Sequence, residues 1–166
     1  MHFMSLLDIC QWIENTPSST ALRESIWMFP IVEGSHVLGL GLSVGTIVWF
    51  DLRLMGAAMK RYSVSQTFSF VKPWMFTGFA VMMVTGVLLF WSHALKCYNS
   101  NFFRLKLVLL LLAGINILVF HSTIDRRRGE WDKSPLPPFQ ARLAGFSSLL
   151  LWLAIVAAGR LMAYTL

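Results

Sequence analysis

Glu33 and His36 stand three residues apart in the stretch Phe29-Pro30-Ile31-Val32-Glu33-Gly34-Ser35-His36, at the head of a long apolar run. A carboxylate and an imidazole are costly where the surroundings are about to become lipid, and ionisable groups placed there turn toward a protein interior and mark function by default. In a helix the two lie about 60° apart on one face, with Ser43 two turns beyond His36. A second set follows in Lys106 and His121, again about 60° apart on the helical wheel, with Asn116 and Gly114 on the flank. His93 completes the group at a helix end. Neutral imidazole binds iron, zinc and copper, so His36, His93 and His121 are candidate metal ligands; His2 is a terminal residue and is set aside.

Depth discriminates among the three imidazoles. With a rise of about 1.5 Å per residue, His36 is expected modestly outside the membrane midplane, His93 near the outer surface and His121 near the inner one. A two-histidine iron needs both rings at one height. His36 is therefore the preferred ligand, with His121 or His93 as the second; a shift of one or two helical turns decides between them. Lys106 has two readings: a lysine snorkelling to the surface, or an ammonium at the depth of Glu33 that pairs with it or with an acidic group of a cofactor. Pro30 also has two: a kink that opens the helix just before Glu33, or a tolerated membrane proline. A copper or zinc site has little support, because the chain holds no Cys-x-x-Cys, no His-x-x-x-His and no methionine cluster beside a histidine. His93 and Cys97, four residues apart, form a lone coincidence that reads as an interfacial histidine. No Ser-His-Asp set and no phosphate-cradling glycine pattern occurs.

The elements that must carry these residues follow from composition. Of 166 residues, 56% are hydrophobic and 13% charged, and mean hydropathy is +0.62, which sets the chain outside the range of soluble domains. A spanning helix needs about 20 mostly apolar residues, and four stretches qualify, near 26–50, 73–92, 103–122 and 143–164. The expected fold is all-α: an integral membrane bundle of four helices over 21–166, preceded over 1–20 by a short helix in the membrane interface and a linker. In that first segment Leu6, Leu7, Cys10, Trp12 and Ile13 alternate with polar residues at helical spacing, Thr16 to Thr20 break the helix, and Ser19 or Thr20 caps the next. The start lacks the plan of a secretory signal. On the first spanning helix Gly34, Gly41 and Gly45 make a small-residue seam opposite the Glu33 and His36 stripe, suited to a closely packed neighbour.

Charge sets an orientation. Nine of the fourteen basic residues, Arg53, Lys60, Arg61, Lys72, Arg126, Arg127, Arg128, Lys133 and Arg142, fall in two loops on one side, and basic loops are retained in the cytoplasm. The expectation is a multi-pass protein of a bacterial inner membrane with both termini periplasmic. The net charge of +6 then has anionic lipid head groups as its counter-charge, and no aromatic-basic interleaving favours nucleic acid. Cys10 and Cys97 both fall on the outer side, where a disulfide can persist; bridged and unlinked thiols stay equally open.

The residues just named also carry a resemblance. W-I-E-N-T-P-x-S-x-A-L-R-E-S, F-P-x-V-E-x-x-H-V-L-G-L, D-L-R-L-M-G, F-x-x-K-x-x-L-L-L-L-A-G-I-N and the Phe-His at 120 and 121 resemble, over nearly the whole length, a family of small uncharacterised bacterial membrane proteins. More distantly the chain is similar to the haem-b-binding membrane protoporphyrinogen oxidase and to the membrane half of copper-resistance proteins. In the oxidase family an early-helix histidine, followed a few turns later by Arg-Leu, binds haem, and a lysine on a later helix is important. His36, Arg53 and Lys106 occupy similar places, so the resemblance implies haem b on His36 with Lys106 near it; Glu33 and His121 are additions. Glu33, Lys106 and Asn116 complete the expected haem surroundings. The leading expectation is a cytochrome-like electron-transfer subunit or partner of a larger membrane redox assembly, dealing with quinone or a periplasmic cytochrome, alone or as a homo-oligomer. The alternatives are a non-catalytic accessory subunit whose glycine seam packs on another membrane protein, and a small transporter.

Overall fold

The computed structural model describes residues 5–164. Short polar caps start its helices. Ser5 and Asp8 form a reciprocal capping box that opens α1 (Leu6–Glu14), and Ser63 with Gln66 does the same for α4 (Val64–Ser92). That second box starts the helix nine residues before the apolar run that hydropathy detects. Pro17 stands at the first position of α2 (Pro17–Glu24), where a missing N–H costs nothing. The expected cap at Ser19 or Thr20 is thus corrected: Ser19 lies inside α2, fully buried, and donates to the Trp91 carbonyl at 2.9 Å. α2 also runs across the expected boundary at residue 20. α3 (Met28–Leu54) follows, and its end is fixed by Gly56 at φ +70°, the left-handed residue that closes a helix. Beyond α4 come α5 (Ala94–Asn99) and α6 (Asn101–Val119), which runs into a π-turn over Phe120–Ile124 and a 3-10 turn over Asp125–Arg127; α7 (Arg128–Trp131) and α8 (Phe139–Tyr164) complete the chain.

Four helices are long and apolar enough to cross a membrane: Met28–Leu54, Val64–Ser92, Asn101–Ile124 and Phe139–Met162. The fold is the expected all-helical four-span bundle with a short N-terminal helix. α3 packs chiefly on α4, α6 on α8, and α8 also on α3, so the bundle is two helix pairs laid side by side. The α3–α4 pair closes at Gly39 and Gly78: a Cβ on Gly78 would stand 2.6 Å from the Ser43 nitrogen and 2.7 Å from the Gly39 oxygen. The expected seam of Gly34, Gly41 and Gly45 has nothing within 4 Å of a Cβ at any of the three. The close approach belongs instead to the face that carries His36 and Ser43.

The two ends of the bundle differ. At the cap end, α1 packs on α5 and α2 on α3 and α4. There Glu14 accepts the Leu95 N–H at 2.7 Å and pairs with Arg23 at 3.5 Å, while Arg23 donates to the Ser92 carbonyl at 3.2 Å. One ion pair thereby serves the open C-terminus of α4 and the first turn of α5. Cys10 and Cys97 are buried here as unlinked thiols. At the loop end lies the apolar core of Leu54, Val64, Phe120 and Ala141, with Phe50 packed on Phe68 and Phe120.

Candidate functional site

α3 presents Phe29, Glu33 and His36 along one stripe, at i, i+4 and i+7. Pro30 does not open it, because it lies in the first turn of α3, where the amide it lacks would have no intrahelical partner. His36, half-buried, places Nδ1 2.9 Å from the Thr85 hydroxyl, and that hydroxyl donates its only proton to the Val81 carbonyl at 2.6 Å. Thr85 Oγ1 must then accept, so Nδ1 carries the ring proton and Nε2 keeps its lone pair. The ring rests on Gly86, where a Cβ would come within 3.3 Å of Cε1.

Lys106 of α6 turns inward and does not snorkel. Its Nζ stands 3.7 Å from where a Cβ on Gly159 of α8 would lie, and it acts electrostatically on both His36 and Cys97. An imidazole from one helix pair and an ammonium from the other thus share the cap-end half of the bundle. Glu33 and Lys106 make no ion pair with each other; Glu33 remains exposed and acts on His93 instead.

The other expected site residues lie elsewhere. His93 caps the end of α4, its ring 5.2 Å from that of Phe29, which puts it seven residues, or about 10 Å, above His36 along α3. It repeats the same hydrogen-bond pattern: Ser92 Oγ donates to the Leu89 carbonyl at 3.0 Å and stands 3.0 Å from His93 Nδ1. Burial, then the charge of Lys96, lowers its affinity for a proton below that of an ordinary histidine. His121 is exposed in the π-turn, with Nδ1 3.1 Å from Asp125 Oδ2; fifteen residues separate it from Lys106, about 22 Å of helix. Asn116 donates to the Ala144 carbonyl at 3.1 Å and ties α6 to α8. Arg53 is fully buried at the loop end, about 25 Å along α3 from His36, and donates to the carbonyls of Tyr62 at 2.8 Å and Ser134 at 2.9 Å. The structure therefore joins His36 with Lys106 and, at the edge, Glu33 with His93; it separates His121, Asn116 and Arg53 from them. Among the described residues no group of three or more His, Cys, Asp or Glu is gathered as a metal site.

Thr85, Gly86 and Gly159 escaped sequence reasoning although they shape the surroundings of His36 and Lys106. The one signal was Thr85-Gly86, a small polar pair inside an otherwise bulky apolar run. Asp51 also went unremarked: it is buried and faces Ser148 of α8.

The fold and site define a multi-pass helical membrane protein with an inward imidazole and ammonium near one end. The profile of a family of unknown function (DUF6644) matches residues 28–165, and the chain belongs to that family. The matched stretch takes in all four long apolar helices and begins after α2. No curated protein and no solved structure matches the chain.

Proposed function

We propose that the protein binds haem b in the cap-end half of the bundle, with His36 as the ligand from this chain, and serves as an electron-transfer subunit or partner of a membrane redox assembly. The observation that carries this is the half-buried His36 ring set against the Thr85 hydroxyl within a membrane-spanning helix pair, under the electrostatic influence of the Lys106 ammonium from the other pair. The donor set fits the group: a neutral imidazole with a defined tautomer suits iron, and the Lys106 ammonium suits an acidic side group of the macrocycle. Haem supplies one-electron chemistry when bound. His36 holds, Thr85 orients and Lys106 balances charge. His93 and His121 stand at other heights, so His36 is the one imidazole of this chain that would hold the group at its level. In the orientation set by the basic loops the cap end faces the periplasm of a bacterial inner membrane, within reach of quinone or a periplasmic cytochrome. Protein purified after expression with ample haem is expected to show a Soret band that disappears in His36→Ala and weakens in Lys106→Met, with affinity lowered about 10- to 100-fold for a lost charge-assisted contact. Lack of the band in the parent protein rejects the reading.

A second reading draws on the glycine seam, whose three positions have open space around them. As an accessory subunit the chain would pack another membrane protein there. Gly41→Leu is then expected to break a complex that survives mild detergent; an intact complex counts against it.

A further inference from the structure

The first two turns of α8 form a wall at the loop end. Phe139, Leu143 and Phe146 recur there at i, i+4 and i+7 on one exposed face. Gly145 beside them lets the end of α3 come close: a Cβ there would stand 3.0 Å from the Asp51 carbonyl oxygen and 3.5 Å from Met55 Cγ. Between the two helices runs an open groove of about 240 Å³, lined by Met55, Phe139, Arg142, Leu143 and Phe146. Arg142 is its one charged group, exposed and in the first turn of α8, where the fourth span begins. Among the described residues no carboxylate pairs with that guanidinium and no hydrogen bond holds it. The N–H groups of Phe139, Gln140 and Ala141 stand ahead of the first bond of the helix, which runs from the Arg142 N–H to the Pro138 carbonyl at 3.1 Å. They add the positive end of a helix dipole at the same level. Phe146 lies one turn deeper, about 6 Å further along the axis. Cation at the membrane edge and apolar wall beneath it is the order of parts in a phospholipid.

We propose that this groove binds one anionic phospholipid, its phosphate on Arg142 and an acyl chain along Leu143 and Phe146 with Met55 opposite. A guanidinium can hold the phosphate of any phospholipid; the surroundings select a head group with net negative charge. Nine of the fourteen basic residues fall toward the loop end against four of the eight acids, and one of those four, Asp51, is buried. A zwitterionic lipid would bring its own cation into that field, whereas an anionic one does not. The site needs neither haem nor the glycine seam and stands apart from both readings above. Native mass spectrometry of the full chain in a neutral detergent, titrated with phosphatidylglycerol or with phosphatidylcholine of the same acyl chains, tests it. The first phosphatidylglycerol is expected to bind at least about fivefold more tightly than the first phosphatidylcholine. Arg142→Gln is expected to lower the affinity for phosphatidylglycerol about 10- to 100-fold, the effect of a lost charge-assisted contact, and Phe146→Ala to weaken both lipids without altering their ratio. Lys60→Gln, exposed at the same end but outside the groove, should stay within about twofold of the parent. Arg142 is exposed and unpaired among the described residues, so its variant keeps the fold, and unchanged helical circular dichroism checks this. Equal binding of the two lipids by the parent overturns the proposal. So does a loss in Lys60→Gln equal to that in Arg142→Gln, which would mark diffuse attraction, and so does displacement of the lipid by soluble glycerol phosphate, which would mark a phosphate site with no use for the apolar wall.

Discussion

Thr85 touches no ligand, yet it decides which nitrogen of His36 is a donor, because a hydroxyl that has spent its proton on Val81 can only accept. Thr85→Val removes the acceptor and frees the ring. Haem affinity is expected to fall about 10- to 100-fold, as for other residues that orient a metal-bound histidine, with Thr85→Ser close to the parent; ring 15N shifts in the cofactor-free protein give the tautomer directly. Two cap-end groups outside the spans contribute to the pH dependence of stability. His93 binds its proton more weakly in the fold than its ordinary value of 6.5, chiefly through burial. The unfolded chain then holds more protons below about pH 6.5, so stability drops as pH falls through that window. Cys97 is pushed the other way, by burial first, from 9.0 up to about 11; the unfolded thiol ionises first, and stability drops as pH rises from about 9 toward 11. Thermal unfolding across pH 5 to 11 is expected to show both arms, the acid one flattened in His93→Ala and the alkaline one in Cys97→Ala. His36 and Lys106 were legible in the sequence because charge and imidazole stand out in apolar runs. Thr85, Gly86 and Gly159 were not, since a small residue in a membrane helix acquires meaning only from what lies across from it.

At the level of helices, the α3–α4 contact depends on two glycines facing each other. A methyl group on Gly78 meets backbone and not a flexible side chain, so Gly78→Ala must push the helices apart. A cost of about 1–3 kcal/mol is expected, in the range of overpacked sites, whereas Gly41→Ala, with open space around it, should stay within about 0.5 kcal/mol. Equilibrium unfolding in detergent compares the two, and equal effects would contradict the crossing. The close approach inside the chain lies on the other face of α3 from the Gly34, Gly41 and Gly45 seam, because α3 alone does not say where its neighbour keeps its own small residue; Gly78 is 39 positions beyond Gly39. Helix starts show the same division. Hydropathy found the apolar centre of α4, and the capping box of Ser63 and Gln66 set its true beginning outside that run.

For the whole molecule, hydropathy sufficed to count four spans but not to pair them, since lipid-facing and partner-facing residues are equally apolar. Orientation remains an expectation of the charge bias and has a direct test. With Cys10 and Cys97 replaced by Ser, a cysteine at exposed Lys60 should label with an impermeant maleimide only from the cytoplasmic side, and one at exposed Asn99 only from the periplasmic side; the opposite pattern inverts the assignment. The two helix pairs are joined at the loop end by Asp51 facing Ser148 and by Arg53, whose hydrogen-bond partners lie 9 and 81 residues downstream. Those separations are also intervals of synthesis. When α3 leaves the ribosome its buried guanidinium has no carbonyl to serve; the loop at Tyr62 arrives soon, but Ser134 is made only after three spans are complete. A chain cut short before Ser134 leaves Arg53 Nη2 without the carbonyl it serves in the full bundle, and the two helix pairs without that tie.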